Sequence, residues 1–333
     1  MRPMTRQWTA SRVARMAAKK QGPAPAAPDK RSLPRYAVAG REIDAPAAAP
    51  GLHLVATPIG NLRDVTLRAL EVLAAADVIA CEDTRVSRKL LEHYAIATPL
   101  TPYHEHNAAA ARPKILARLA AGEAVALISD AGTPLVSDPG YKLVRAACAA
   151  GHSVTALPGA SAVLAALNVA ALPTDHFFFE GFLPPKQVAR QKRIAELSRI
   201  PATLVLFESG PRIAATLADL AASIGAREAS VCRELTKLHE QVRRGDLAAL
   251  ARDYAAGAET RGEFVIVVAP LQAEAERADD VDELLRRALD RVSVKDAVGE
   301  IAAATGLPRR DIYRRALALA KDRDKDSDDA AAS

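Results

Sequence analysis

The run Val125-Ala-Leu-Ile128 is wholly apolar and stops at Ser129-Asp130, after which Gly132, Pro134, Pro139 and Gly140 deny the chain either helix or strand until Tyr141. A buried strand that empties into so long a loop is more than a simple connection, which needs only about two to six residues. The pattern recurs. Leu52 to Ala56 runs into Thr57-Pro58-Ile59-Gly60-Asn61, Asp77 to Ala80 into Cys81-Glu82-Asp83-Thr84-Arg85, and His152 to Leu157 into Pro158-Gly159-Ala160-Ser161-Ala162. A helical pattern follows each loop. Strands alternating with helices predict a parallel α/β sheet, and ligands of such sheets bind outside the carboxyl ends of the strands.

At 333 residues the chain is long enough for two compact units with tails, and its 50% apolar and 26% charged content suits a globular protein with real cores. The longest apolar runs, such as Phe264 to Pro270, are strand-sized, so no bilayer-crossing segment is expected. Cys81, Cys148 and Cys232 lie far apart without metal-ligand spacing, which points to a reducing cytoplasm and to neither disulfides nor zinc. Net charge is only +5, but the basic residues gather at the two ends.

Five segments follow. Residues 1–50 read as a disordered basic tail, with a mitochondrial transit peptide or an RNA-touching tail as alternatives. Residues 51–166 form a first α/β domain, and 167–270 a second, entered through the aromatic and proline-rich stretch Asp175 to Lys186. In the second, Thr203 to Phe207 ends in Glu208-Ser209-Gly210-Pro211-Arg212, and weak helix signal around Leu235 to Arg244 predicts a partly antiparallel sheet. Residues 271–320 read as helical. Val281, Leu284, Leu285, Ala288, Leu289 and Val292 share one face, and Ser293-Val-Lys-Asp296 resembles a capping box. Pro308 then opens a helix bearing Arg309, Arg310, Arg314 and Arg315, which fits either a helix-turn-helix or a helical hairpin packed on its own domain. Residues 321–333 read as a disordered tail.

Two stretches carry more polar chemistry than folding needs. Glu82, Asp83 and Arg85 exceed the requirement of one helix cap, though Asp83 or Thr84 would serve as one. Tyr103-His-Glu-His-Asn107 sets two histidines on one face, but no third ligand stands nearby, so a substrate contact or a solvated loop is favoured over a metal. Neither the P-loop pattern nor Gly-x-Gly-x-x-Gly occurs, which disfavours ordinary kinases, NTPases and NAD dehydrogenases.

The blocks VATPIGNLRDVTLRAL, CEDTR, ISDAGTPLVSDPG, LPGASA, FFEGFLP, FESGPR and RELTKLHE, in this order between about Leu52 and Val268, resemble the ribosomal RNA small-subunit methyltransferase I group of the tetrapyrrole-methylase-like superfamily. The resemblance implies two α/β domains of tetrapyrrole-methylase type with a cofactor cleft between them. It further implies methyl transfer from S-adenosylmethionine to a cytidine ribose 2'-hydroxyl in the decoding region of small-subunit (16S) rRNA, by a cytoplasmic homodimer. Carried over by motif, Pro58 and Gly60, then Asp130, Ala131, Gly132, Thr133 and Pro134, then Pro158, Gly159, Ala160 and Ser161, line the cofactor, and Phe207 and Glu208 close the cleft. Tetrapyrrole enzymes have Gly-Asp-Pro in the central loop where this chain has Ala-Gly-Thr-Pro, which argues against a porphyrin or corrin substrate.

A ribose hydroxyl is a poor nucleophile and gains from a base within hydrogen-bond reach. Asp83 or Glu82 is nominated as that base, with Arg85 orienting it or holding phosphate and His104 as runner-up. Lys186, Arg190, Lys192, Arg193, Arg309, Arg310, Arg314 and Arg315 are candidate RNA-backbone contacts. The rivals are a small-molecule methyltransferase on the same scaffold and a helix-turn-helix DNA-binding protein with a ligand-sensing core. The basic C-terminal helix argues against the first and the run of cleft motifs against the second.

Overall fold

The computed structural model describes residues 33–270, 275–305 and 308–319. It opens on a hairpin of β1 (Arg35–Val38) and β2 (Arg41–Asp44), within the segment read from sequence as a disordered tail. That reading is corrected for residues 33–50; residues 1–32 lie outside the described ones. Ala39 and Gly40 both take positive φ, 52° and 76°, the backbone of a two-residue hairpin turn. Arg35 is matched across the hairpin by Asp44 at 2.8 Å and Glu42 at 3.2 Å. Tyr36, only 3% exposed, drops into the core and Ala37 N–H donates to the Tyr94 carbonyl at 2.7 Å. One buried aromatic thus decides what a basic, alanine-rich composition concealed.

The first unit runs β3 (Gly51–Val55), α1 (Leu67–Ala75), β4 (Val78–Cys81), α2 (Thr84–His93), β5 (Leu100–Pro102), α3 (Ala108–Ala120), β6 (Ala124–Ile128), α4 (Tyr141–Ala149) and β7 (Val154–Leu157). Its five strands are all parallel, in the order β5-β4-β6-β3-β7. β6, central and flanked on both sides, is buried at every position, which is why its sequence is an unbroken apolar run. α1 and α2 pack on one face with the hairpin, α3 and α4 on the other. The neighbours β3 and β6 therefore send their chains to opposite faces, which opens a crevice beyond their carboxyl ends.

α5 (Ala162–Ala170) crosses to the second unit, where Val163, Ala166, Leu167 and Ala170 pack against Val205, Cys232, Val265 and Val267. The boundary read between residues 166 and 167 thus cuts a helix that packs mainly on the second sheet. The rest is β8 (Phe177–Phe182), α6 (Gln187–Leu197), β9 (Thr203–Ser209), α7 (Ile213–Ile224), β10 (Glu228–Arg233), β11 (Gln241–Asp246), α8 (Leu247–Ala255) and β12 (Glu263–Val268). The sheet order is β11-β10-β12-β9-β8, parallel only between β8 and β9. A mixed sheet is what the short β10 to β11 connection requires.

α9 (Ala275–Leu289), α10 (Val294–Thr305) and a helix over residues 309–319 close around Val281, Leu285, Ala288, Val298, Ile301 and Ile312. Ser293 Oγ accepts from Asp296 N–H at 3.3 Å and contacts the Asp296 carboxylate at 2.7 Å, the cap legible in the sequence. Among the described residues no helix is long and apolar enough to cross a membrane.

Candidate active site

The loops after β3 and β6 are stitched together by backbone. Thr57 N–H donates to Gly132 O at 2.9 Å, Gly132 N–H to Thr57 O at 3.0 Å, and Thr57 Oγ1 to Ser129 O at 3.1 Å. Gly132 has φ +80° and a Cβ there would stand 3.2 Å from Ile59, so the close pairing needs glycine. Thr133 Oγ1 donates to Ala160 O at 3.2 Å, which brings in the loop after β7. Three loops predicted to converge do so.

Between these loops and the second sheet lies a cavity of about 400 Å³. Ile59, Ala131, Gly132, Thr133, Val136, Ser137 and Asp138 form its first wall, Ser161, Ala162 and Val163 at the start of α5 its floor. The second unit supplies Phe182, Phe207, Glu208, Ser209, Cys232, Leu235, Lys237 and residues Gly262 to Val265. Of the residues predicted to bind cofactor, Ala131, Gly132, Thr133, Ser161, Phe207 and Glu208 line the cavity. Pro58, Gly60, Asp130, Pro134, Pro158, Gly159 and Ala160 do not. They act behind the wall: Gly60 leaves room for the Lys237 side chain, Asp130 Oδ1 accepts from Asp83 N–H at 3.0 Å, and Ala160 receives Thr133. Ser161 does two jobs, since its hydroxyl also caps α5 by accepting from Leu164 N–H.

Glu208 faces the cavity but its carboxylate is committed inward. It accepts from Thr216 Oγ1 at 2.7 Å and Ser209 N–H at 2.7 Å, and pairs with Arg212 at 3.3 Å. It shapes the wall rather than reaching for a ligand. Phe207 meets Phe179 and Phe182 edge to face at 4.8 and 5.7 Å, giving that wall an aromatic corner.

A second polar group flanks the first wall. Asp83 caps α2 by accepting from Arg85 N–H at 2.8 Å and is clasped by the Arg85 guanidinium at 2.6 Å. Those hydrogen bonds pull its carboxyl down to about 2, so the nominated base is a helix cap with little appetite for a proton. Arg85 is correspondingly held to Asp83. Glu82 is pushed up by burial and then by Asp130, while His104 draws it back; neither Glu82 nor His104 lines the cavity. The residue that sequence reasoning missed is Asp138. Burial pushes its carboxyl up to about 6, opposed by the Ser129 hydroxyl and reinforced by Glu82 and Asp130. The signal was present in the Ser-Asp-Pro-Gly end of the central loop, which was read as part of a ligand loop without Asp138 being singled out.

The predicted RNA contacts divide. Arg190 is 5% exposed and pairs with Asp219 at 2.6 Å, so it is a core residue and is withdrawn as a backbone contact. Arg193 is held by Glu180 at 2.6 Å and Glu196 at 2.8 Å, and its charge is spent within the fold. Both were misread because Asp219 on α7 and Glu180 on β8 are remote in sequence and Glu196, on α6 itself, is unremarkable there. Lys186, Lys192, Arg309, Arg310, Arg314 and Arg315 are exposed. Arg314 contacts Asp311 at 3.0 Å and Arg315 contacts Asp282 at 3.1 Å, while Arg309 and Arg310 border a shallow hollow with Lys295 and Tyr313. Among the described residues no cluster of histidine, cysteine or carboxylate side chains is arranged to hold a metal.

The family model for tetrapyrrole (corrin/porphyrin) methylases matches residues 51–251, and that for the RsmI C-terminal HTH domain matches residues 275–320. A ribosomal RNA small subunit methyltransferase I from Mesorhizobium japonicum is 52% identical over 279 residues, 84% of this chain and 95% of that protein. One of the same name from Xylella fastidiosa is 46% identical over 270 residues, 80% and 99% of the two chains. A solved diphthine synthase matches with TM-score 0.52 at 17% identity, over 66% of this chain and 89% of that one, a likeness of fold alone. One family model over the two α/β units, a second over the C-terminal helices, and relatives matched over nearly their whole length make this chain a methyltransferase of the tetrapyrrole methylase family, in its ribosomal RNA small subunit methyltransferase I group.

Proposed function

We propose that this methyltransferase uses S-adenosylmethionine to methylate the ribose 2'-hydroxyl of a cytidine in the decoding region of small-subunit rRNA. The observation that carries the reading is the cavity at the β3/β6 crevice, because its volume of about 400 Å³ and its mixed lining suit one nucleoside-sized molecule. The names of the close relatives support the RNA, and the resemblance in the loops supports the ribose oxygen.

The residues fit the donor. Phe207 and Phe182, crossed edge to face, offer an apolar corner for a purine, the Gly132 backbone leaves space that a side chain would fill, and Ser161, Ala162 and Val163 at the start of α5 line the floor. When bound, the donor supplies a methyl group activated on a sulfonium. The protein's share is positioning, since methyl transfer needs in-line approach and orientation supplies much of the rate. The loops fastened at Thr57, Gly132 and Thr133 hold that geometry. Arg309, Arg310, Arg314 and Arg315 on the last helix, with Lys186 and Lys192 on the second unit, are the cations assigned to RNA phosphates.

Incubating the full chain with radiolabelled S-adenosylmethionine and small ribosomal subunits tests the reading. Label is expected in one cytidine that resists alkaline cleavage at its 3' side, the mark of a blocked 2'-hydroxyl. Label on a base, or on porphyrinogens instead of RNA, would overturn it. Charge removal at Arg309 and Arg310 is expected to weaken RNA binding and reduce its salt dependence by about one unit of slope per lost contact; an unchanged slope rules them out.

A further inference from the structure

Three carboxylates line the cavity, and two are committed. Glu208 is bound by Thr216, Ser209 and Arg212, and Glu263 by Lys237 Nζ at 2.8 Å. Asp138 has no cationic partner among the described residues; the groups that bear on it are the Ser129 hydroxyl and the carboxylates of Glu82 and Asp130. Across the cavity stand Glu208, Glu263 and Lys237, the last already shared between Glu234 and Glu263.

The backbone around Asp138 is held in an unusual shape. Leu135 and Ser137 take positive φ of 74° and 63° although neither is glycine, a conformation that persists only where surroundings impose it. One neighbour of this loop lies on the second unit. β8 is irregular between Phe179 and Gly181, and Ser137 Oγ sits 3.0 Å from where a Gly181 Cβ would be. The loop thus abuts the opposite wall, and Asp138 lines the cavity beside that approach of the two units.

We propose that Asp138 is the general base, accepting the proton of the methyl-accepting hydroxyl. The assignment rests on the methyl-transfer reading above. As the hydroxyl oxygen forms its bond to the methyl carbon, the carbon–sulfur bond breaks and its electron pair returns to sulfur. The proton leaves the oxygen for the Asp138 carboxylate, so charge balances without a metal or a further reactant. A base works best when its own proton affinity lies near the working pH. Burial and two neighbouring acids place Asp138 there, whereas Arg85 holds Asp83 far below it. Glu82 and Asp130 act through Asp138 and are positioning residues.

The test uses the full chain, small ribosomal subunits and labelled S-adenosylmethionine, with S-adenosylhomocysteine binding followed by calorimetry. Asp138→Asn is expected to lower kcat at least about 100-fold while leaving S-adenosylhomocysteine affinity within about threefold. Wild-type kcat/KM is expected to fall below about pH 6. Glu82→Gln removes a like charge, so it should move that acid limb to lower pH. A ¹³C carboxyl titration of the donor-free protein is expected to show a resonance near pH 6 that Asp138→Asn removes, a readout independent of turnover. Asp138→Asn with activity within threefold of wild type, or an Asp138 carboxyl that titrates in the ordinary aspartate range, overturns the assignment. Should Asp138→Asn not fold, the Glu82→Gln profile and the wild-type titration decide it. If the wild type binds S-adenosylhomocysteine but labels no RNA, the methyl-transfer reading falls and takes this assignment with it. If wild type and Asp138→Asn label RNA equally, only the assignment falls.

Discussion

In the second unit the deeply buried carboxylates are matched by donors, whereas in the first unit Glu82, Asp130 and Asp138 crowd one another beside a cavity. Asp219 on α7 accepts from Arg190, Gln191 and Gln187 of α6, and Glu208 ties the end of β9 to α7. In the first unit the Arg85 guanidinium pairs with Asp83, the α2 cap. The contrast teaches a division of labour. Acids that hold the fold are satisfied by donors; Glu82 and Asp138, whose proton affinity burial and like charge raise, lie at or beside the cavity, at a cost in stability.

The largest effect is expected where a satisfied acid is removed. Asp219→Ala strands a guanidinium that is almost fully buried, and Glu208→Ala leaves the Thr216 hydroxyl and the Ser209 amide without acceptors. Each should cost about 3–5 kcal/mol in urea unfolding, the usual penalty for breaking a buried pair from one side. A loss below about 1 kcal/mol for both would break the comparison, because the second unit's acids would then not be structural. Lys192→Ala, exposed on the same helix as Arg190, should leave stability within about 0.5 kcal/mol.

The next effect separates wall from chemistry. Gly132→Ala forces a side chain onto a residue with φ +80° and against Ile59. It should weaken S-adenosylhomocysteine binding about tenfold, or about 1.4 kcal/mol, while the pH dependence of the remaining turnover keeps its shape. A changed acid limb in that variant would mean that wall and proton acceptor are not separable.

The contrast between units also explains what could be read from sequence. Parallel strands advertise themselves: β6 is an apolar run cut off by Ser129-Asp130, so both the first sheet and the meeting of its loops were legible. Pairing across long distance was not. Nothing near Arg190 in the chain announces Asp219, and Arg193 finds Glu180 on a neighbouring strand, so one buried and one paired cation passed for a basic surface. The β1–β2 hairpin was hidden because Tyr36 is its one buried aromatic, amid charges that pair only after folding. Asp138 was missed for a related reason. In a string ending Ser-Asp-Pro-Gly an aspartate reads as turn chemistry, and its altered proton affinity comes first from burial in the folded loop and then from Glu82 and Asp130 nearby.

The smallest effect is the most diagnostic of the cost. Folded Asp138 holds its proton up to about pH 6, whereas the unfolded side chain releases it near the ordinary aspartate value of about 3.9. The folded state therefore binds the extra proton between those values, and wild-type stability from this group is complete below about pH 4 and lost as pH rises through about 6. Asp138→Asn has no proton to lose. Its stability relative to wild type should rise across that window and level off above it, by less than about 1 kcal/mol because the group is only half-buried and solvent screens it. Urea unfolding of both proteins from pH 4 to pH 8 measures the difference. A flat difference would mean that Asp138 is as well satisfied as Glu208, and the distinction between the two sets of acids would collapse at the residue on which it bears most.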